Sequence, residues 1–187
     1  MRILSVVALL AVFASVAFAE NPTHLGEKAP PFRFGAFANA TVPFETLEEL
    51  KGDVVLLCWL RTACPGCRAV MPILDKARKD FDRSDFHVFA ATNDSLELFQ
   101  RFLVHEGVGR KYDVPTAIRS RANWGVTKLP WAYVIGRDGK VAWAGHPGQG
   151  VSKAVKAALA KSDPAVPEAP RSFTKATSLL AGRRYAK

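Results

Sequence analysis

The apolar positions of this chain follow two different periodicities. Residues 54–60 are an unbroken apolar run, and residues 86–91 have the same character. Runs without alternation are typical of strands that are covered on both faces of a sheet. From residue 67 to about residue 81, apolar side chains recur at helical spacing, which predicts an amphipathic helix that Pro72 either kinks or begins.

The second half of the chain continues the alternation of strand and helix. Asp94 and Glu97 are spaced to cap a helix that runs toward Gly107. Residues 112–118 form a weaker strand pattern, and residues 120–125 predict a short helical turn.

Two further elements are predicted before the C-terminal region. Residues 131–135 and 140–145 flank a Gly-Arg-Asp-Gly turn and predict a β-hairpin. Residues 151–161 carry apolar side chains on one face and predict a last helix.

The segment ahead of the first apolar run is rich in proline. Residues 21–28 predict an exposed lead-in, and residues 29–32 and 41–44 predict short edge strands that form an N-terminal β-hairpin extension. Thr46 and Glu49 have the spacing of a capping box, which predicts a short helix ending at Gly52.

The order of elements predicts an α/β fold. Strands and helices alternate as β-α-β-α-β-β-α, which implies one mixed central sheet with helices on both faces, a three-layer α/β/α arrangement. The chain has 187 residues, of which 49% are apolar and 23% charged. This size and composition indicate a single packed domain, and argue against a disordered, collagen-like or coiled-coil chain.

The first residues carry a targeting pattern. Arg2 precedes an almost continuous apolar stretch over residues 3–18, and the small residues Ala17 and Ala19 complete a cleavage site. We therefore predict a signal peptide over residues 1–19 and export from the cytoplasm. An uncleaved N-terminal anchor is the alternative, although the stretch is shorter than the roughly 20 residues of a spanning helix. Disulfides persist in exported proteins, so the cysteines are interpreted for that environment.

Prolines mark the other end of the packed domain. Three prolines fall within residues 163–170, so we expect the domain to cover residues 20–162 and a linker with a basic tail to cover residues 163–187. The formal net charge is +9, but the basic regions lack the interleaved aromatic side chains of single-strand binders. We interpret the charge as solvated surface and predict no nucleic-acid partner.

The candidate chemistry lies in a Cys-x-x-Cys motif between a buried strand and an amphipathic helix. Cys64 precedes the helix, where free amides and the helix dipole stabilise a thiolate. Cys67 lies close enough in sequence to close a small disulfide, so Cys64 can attack a partner disulfide and Cys67 can resolve the mixed species. Pro65 and Gly66 form the active-site loop between them.

Other uses of these thiols remain open at this point. A static disulfide that closes so small a loop contributes little stability. A metal site has only two thiolates and needs a further ligand from four scattered histidines. A copper-binding module that uses Cys64, Cys67 and His146 is one alternative function.

The motif and its surroundings resemble a known family, over residues 26–161. Beyond the cysteines, the resemblance rests on an Ala-Pro-x-Phe start, the Leu-Lys-Gly-Asp run before the first strand, Pro72, and the Leu-Pro-Trp-Ala-Tyr-Val-Ile strand with its hairpin. This pattern is similar to the thioredoxin-fold TlpA/ResA/DsbE type of exported thiol–disulfide oxidoreductases, in the neighbourhood of the AhpC/TSA redoxins. A peroxiredoxin-like peroxidase is a second alternative function, but Thr62 is one position too close to Cys64 for the peroxidatic signature.

The resemblance implies several properties. The Leu129–Pro130 bond is expected to be cis and to face the cysteine pair, and the Leu129 backbone to bind extended substrate. Expected partners are disulfide-containing proteins, apocytochrome c among them, and a membrane thiol–disulfide electron donor. We expect reduction as the direction of exchange, no cofactor and no metal, and a monomer.

Three positions depart from the family pattern. Ala63 replaces the aromatic residue usual before the first cysteine, and Val70 and Cys58 replace acids that relatives bury near the pair. No usual proton acceptor for Cys67 is therefore present. We interpret Cys58 as a packing residue of the central strand.

Overall fold

The structure is a computed structural model that describes residues 20–38, 40, 42–105, 113–120 and 124–161, the side chains of 103–105 excepted. The predicted signal peptide and the tail over residues 163–187 lie outside these residues. Within the described part of the chain, no helix is long and apolar enough to cross a bilayer.

A five-stranded mixed sheet forms the centre of the fold, with the strand order β3-β2-β1-β4-β5. The central strand β1 (Val54–Trp59) pairs in parallel with β2 (Phe86–Thr92) and antiparallel with β4 (Trp131–Ile135). The outer strands are β3 (Thr116–Ile118), parallel to β2, and β5 (Val141–Gly145), antiparallel to β4. The predicted α/β fold with one mixed sheet is confirmed.

Among the described residues, three α-helices and one 3-10 helix flank the sheet. They are α1 (Pro65–Asp80), α2 (Leu96–His105), α3 (Val151–Ala160) and the 3-10 helix Leu47–Leu50. Helix α1 begins two residues before the predicted start, and Pro72 lies in its interior.

One face of the sheet is covered by the α-helices. Leu56 and Cys58 of β1 belong to a cluster of buried apolar residues, here named the helical cluster, with Leu74 of α1, Phe99 of α2 and Val155 of α3. Because β1 is central and fully buried, its C-terminal end holds the start of α1 in a fixed position.

The other face is covered mainly by aromatic residues. Leu57 of β1 belongs to a second cluster, here named the aromatic cluster, with Trp59 and Tyr133 of the sheet. Within the described residues, the layer over this face consists of the 3-10 helix and irregular segments that contribute Phe32, Phe34, Leu47, Trp124 and Val126.

The N-terminal β-hairpin extension is smaller than predicted. Arg33 and Thr46 form one isolated antiparallel bridge, flanked by hydrogen bonds from Phe34 N–H to Glu45 O and from Leu47 N–H to Phe32 O. Prolines in both segments lack the N–H that a longer ladder needs, which limits the pairing.

The start of α2 also differs from the prediction. Ser95, not Asp94, caps the helix, because the Ser95 hydroxyl accepts a hydrogen bond from the Leu98 N–H at 3.1 Å. Asp94 is thereby free to bind a different segment, as described below.

An ion-pair network joins the ends of three strands at one end of the sheet. Asp85, just before β2, accepts two hydrogen bonds from Arg83 at 2.7 and 2.8 Å and a further one from Arg137 of the β4–β5 turn. Arg137 also donates to the Gly52 carbonyl at 2.8 Å, ahead of β1. Gly52 has a φ of 101°, a backbone conformation that favours glycine.

Candidate active site

The two motif cysteines meet at the start of α1. Cys64 is the N-cap residue, and its Sγ accepts a hydrogen bond from the Cys67 N–H at 3.3 Å. Pro65 and Gly66 occupy the first two helical positions, where the missing N–H of proline leaves no helical bond unmade. Cys64 is partly exposed, Cys67 is 2% exposed, and both are free thiols. One thiol is thus open to a partner while the other is shielded.

Burial raises the pKa of the Cys67 thiol to about 12. Burial is the largest cause of this value; a hydrogen bond to Cys64 and the negative charges of Cys64 and Asp94 also raise the pKa, and a backbone hydrogen bond from Arg61 lowers it. Cys67 therefore keeps its proton at neutral pH in this arrangement.

The Leu129–Pro130 peptide faces this pair and is cis, as expected from the resemblance. The Leu129 carbonyl oxygen lies 3.7 Å from Cys64 Sγ. A Cβ placed on Gly66 would lie 3.4 Å from Pro130 Cδ, an ordinary van der Waals distance, so residue 66 lies directly beside Pro130. The sequence-predicted residues Cys64, Cys67, Gly66, Leu129 and Pro130 are brought together.

An acidic side chain supports the loop that carries Cys64. The Thr62 N–H donates a hydrogen bond to Asp94 Oδ2 at 2.7 Å. Thr62 is 7% exposed, so this bond gives a partner to a buried backbone N–H that lies outside the strand ladder. Asp94 was predicted only as a helix cap, because its true partner lies 32 residues away and leaves no local pattern.

A second support holds the loop that leads to Leu129. Asn21 is 5% exposed, and its side chain donates to the Lys128 carbonyl at 2.7 Å. Its Oδ1 accepts from the Thr127 and Lys128 N–H groups, both at 2.8 Å. The prediction of an exposed lead-in is wrong at this residue, since Asn21 supplies the hydrogen bonds that the loop cannot make internally.

A family match covers the same part of the chain. A sequence model described as the AhpC/TSA family matches residues 25–144, which include both motif cysteines and Pro130. The chain belongs to the AhpC/TSA family.

Individual relatives of this AhpC/TSA chain are thiol–disulfide oxidoreductases by name. The thiol–disulfide oxidoreductase ResA of Halalkalibacterium halodurans is 26% identical over 145 residues, which are 74% of this chain and 81% of the relative. ResA of Bacillus anthracis is 26% identical over 121 residues, 63% of this chain and 66% of the relative.

Solved structures share the fold of this AhpC/TSA chain. A Chlorobium tepidum chain assigned as a thiol:disulfide interchange protein DsbE has a TM-score of 0.59 at 22% identity and covers 72% of this chain and 97% of its own length. The thioredoxin domain of a Bacteroides vulgatus thiol–disulfide oxidoreductase has a TM-score of 0.59 at 18% identity and covers 71% and 96%. The fold is that of thioredoxin, and this AhpC/TSA chain is a thiol–disulfide oxidoreductase.

The third cysteine of this AhpC/TSA chain lies behind the pair. Cys58 is fully buried in the helical cluster, which also contains Cys67, and its Sγ lies 3.7 Å from the Trp59 carbonyl oxygen. Burial holds the pKa of Cys58 far above its usual range. A thiol in this position packs as a small apolar side chain.

In the described residues of this AhpC/TSA chain, no group of three or more His, Cys, Asp or Glu side chains is placed to hold a metal ion. Within these residues, a copper site at the two motif thiols therefore has no third ligand. His146 lies in a turn after β5, where its Nδ1 accepts a hydrogen bond from the Gly148 N–H at 3.1 Å.

Proposed function

We propose that this oxidoreductase works outside the cytoplasm and reduces disulfides in protein substrates, with Cys64 as the nucleophile and Cys67 as the resolving thiol. The observation that carries the proposal is the asymmetry of the pair. Cys64 is partly exposed at a helix N-terminus and accepts an N–H bond, whereas Cys67 is buried and protonated.

The reduction proceeds in two exchanges. The Cys64 thiolate attacks one sulfur of the substrate disulfide, forms a mixed disulfide and releases the other substrate sulfur as a thiolate. Cys67 then loses its proton and attacks Cys64 Sγ, which closes the Cys64–Cys67 disulfide and releases the second substrate thiol. Two electrons pass from the pair to the substrate, and a thiol donor must return them for the next cycle.

The arrangement also accounts for how Cys67 loses its proton. Two of the causes that raise its pKa are the hydrogen bond to Cys64 and the charge on Cys64. Both disappear once Cys64 is bonded to the substrate, so the pKa of Cys67 falls at the step that needs its thiolate. The substrate thiolate released in the first exchange is a base at hand to accept the proton.

The loop opposite the cysteines supports a role in substrate binding. The Leu129 carbonyl lies beside Cys64 Sγ, where it can accept a hydrogen bond from the backbone of an extended substrate. Strand-like pairing to the backbone at Leu129 and Pro130 would present many different disulfides to Cys64, because main-chain hydrogen bonds do not depend on side chains.

Two further observations support the location and the direction. Residues 1–19 have the pattern of a signal peptide, which supports export, and the resemblance to the TlpA/ResA/DsbE type supports reduction. The electron donor we propose is a membrane thiol–disulfide carrier, and the protein acts as a monomer.

The reduction potential of the Cys64–Cys67 pair tests the direction. The mature chain is equilibrated in glutathione or dithiothreitol buffers, and thiols are counted after alkylation. A potential near or below about −220 mV supports a reductase, whereas one near about −120 mV contradicts this direction and makes the protein an oxidant. The absence of a reversible two-electron couple contradicts the enzyme mechanism itself.

Trapping tests the roles of the two thiols. Cys67→Ser should accumulate a mixed disulfide between Cys64 and substrate, and Cys64→Ser should form none. Cys58→Ala is the matched control, since it removes a cysteine outside the motif and should keep turnover. Accumulation with Cys64→Ser in place of Cys67→Ser would reverse the assignment.

A further inference from the structure

A cleft of about 250 Å³ opens beside the cysteine pair. Leu129 is one of its lining residues, and the carbonyl of the same residue lies 3.7 Å from Cys64 Sγ. The cleft is smaller than the roughly 300 Å³ or more of small-molecule sites, so it fits a single side chain better than a complete small ligand. A substrate chain that pairs with the Leu129 backbone passes the mouth of this cleft.

The polar groups of the cleft favour an acceptor with negative charge. Arg61 and Asn93 line it and are exposed, and none of the lining residues is acidic. The guanidinium and the amide both carry N–H donors, and the guanidinium fork matches the two oxygens of a carboxylate.

The Arg61 guanidinium has no carboxylate partner within the described residues. Asp94, the acid that contacts the neighbouring residue Thr62, is engaged with the Thr62 N–H. By contrast, other arginines of the domain each pair with a carboxylate: Arg33, Arg78, Arg83, Arg101 and Arg137. Arg61 lies at the cleft beside the reactive thiol, which leaves its charge available to a bound chain.

The rim between the cleft and Cys64 is low. Ala63 is exposed and contributes only a methyl group between Arg61 and Cys64. A side chain from a substrate residue close to the target cysteine can therefore enter the cleft while the disulfide stays at Cys64.

From these observations we propose that the cleft is a specificity subsite for an aspartate or glutamate side chain next to the target disulfide, bound by Arg61 and Asn93. This subsite rests on the proposed function, since it needs a protein substrate at Cys64. It makes the enzyme prefer acidic segments among the many disulfides that backbone pairing alone admits.

Matched peptides test the subsite. Disulfide peptides that differ only by glutamate or glutamine at one position within two residues of the cysteine are reduced by the pre-reduced mature chain, and kcat/KM is compared. At one of these positions we expect glutamate to be preferred by about two- to fivefold, the effect of an exposed ion pair, with a smaller preference at high salt.

Variants separate the cleft from general charge. Arg61→Gln should bring the glutamate-to-glutamine ratio to about one, and Lys128→Gln, an exposed cation next to Leu129 that does not line the cleft, should retain the preference. Equal reduction of all peptides by the unaltered chain, or a preference that survives Arg61→Gln, overturns the subsite alone. Failure to reduce any peptide overturns the proposed function instead.

Discussion

At the scale of single residues, the unequal burial of the two motif thiols has a measurable effect on stability. The folded protein raises the pKa of Cys67 from its ordinary value of 9.0 to about 12. When the pH is below the ordinary pKa of 9.0, Cys67 is protonated in both the folded and the unfolded chain, and the stabilisation is complete. Between the two values only the unfolded chain releases the proton, so the free energy of unfolding decreases as pH rises.

We therefore expect the reduced protein to lose stability from about pH 9 upward relative to the oxidised protein, which has no thiol at Cys67. Urea denaturation of both forms across this range measures the difference. Groups other than the two motif thiols are present in both forms, so their titration cancels in the difference. A constant difference between the forms would contradict the raised pKa.

Asp94 offers a second test at this scale. Its charge is one cause of the raised pKa of Cys67, so Asp94→Asn should lower that pKa while an amide oxygen still accepts from the Thr62 N–H. NMR of protein with carbon-labelled cysteine follows each thiol separately. Asp138→Asn, in the β4–β5 turn at the other end of the sheet, is the control and should leave the Cys67 titration in place.

Residues of the site differ in how far the sequence predicts them. Cys64, Cys67 and Pro130 can be predicted because each belongs to a short motif of neighbouring residues. Asn21 and Asp94 do not, because their partners are backbone groups of distant loops, which a pattern along the chain cannot contain.

At the scale of elements, the loop before Leu129 depends on a segment at the other end of the chain. Asn21→Ala removes four hydrogen bonds between this segment and residues 127 and 128. Because partly buried backbone groups lose their partners, we expect a loss of about 1–3 kcal/mol in the free energy of unfolding. The looser loop should also lower kcat/KM for protein disulfides.

Urea denaturation and substrate reduction measure these two effects. Asn93→Ala, at an exposed asparagine, is the control for stability and should change it by no more than about 0.5 kcal/mol. An Asn21→Ala protein as stable as the unaltered chain would show that the segment does not hold the loop.

Elements with a strong apolar pattern were predicted well, and elements shaped by proline or by distant contacts were not. The run that became β1 and the hairpin of β4 and β5 agree with the structure to within one residue or two. Of the predicted strand over residues 112–118, residue 112 lies outside the described residues and only Thr116–Ile118 forms a strand, and the N-terminal hairpin shrinks to one bridge. In both regions the tertiary environment, and not the local pattern, decides the pairing.

At the scale of the whole molecule, the Asp85 network joins the loops before β1 and β2 to the β4–β5 turn. Hydrogen bonds from Arg83 first, and then from Arg137, hold the pKa of Asp85 well below its usual range. The resulting stabilisation is present when the pH is above the ordinary pKa of 3.8. It is lost as the pH falls below that value, because Asp85 then binds a proton in the unfolded chain but not in the folded chain.

Asp85→Asn should therefore be less stable than the unaltered chain at neutral pH, with a smaller further loss of Tm as pH falls from about 4 to about 2. Thermal unfolding at several pH values measures both slopes. Asp80→Asn, at a carboxylate paired with Lys76 on the exposed side of α1, is the matched control. Parallel slopes for Asp85→Asn and the unaltered chain would contradict a depressed pKa.

The local sequence patterns do not predict the order of the strands in the sheet. They predict a mixed sheet, but not that β1 lies between β2 and β4, because strand pairing is a contact between segments far apart in the chain. The family resemblance supplied the thioredoxin fold, which the sheet then confirmed.

Under the proposed export, the Asn21 contacts link the maturation of the N-terminus to substrate reduction. With cleavage after Ala19, Asn21 is the second residue of the exported chain, so an aminopeptidase that removes two residues deletes the support of the Leu129 loop. Such a protein keeps both motif thiols and the whole sheet, yet presents its substrate loop poorly. Two preparations with equal thiol counts would then differ in turnover through amino-terminal heterogeneity alone.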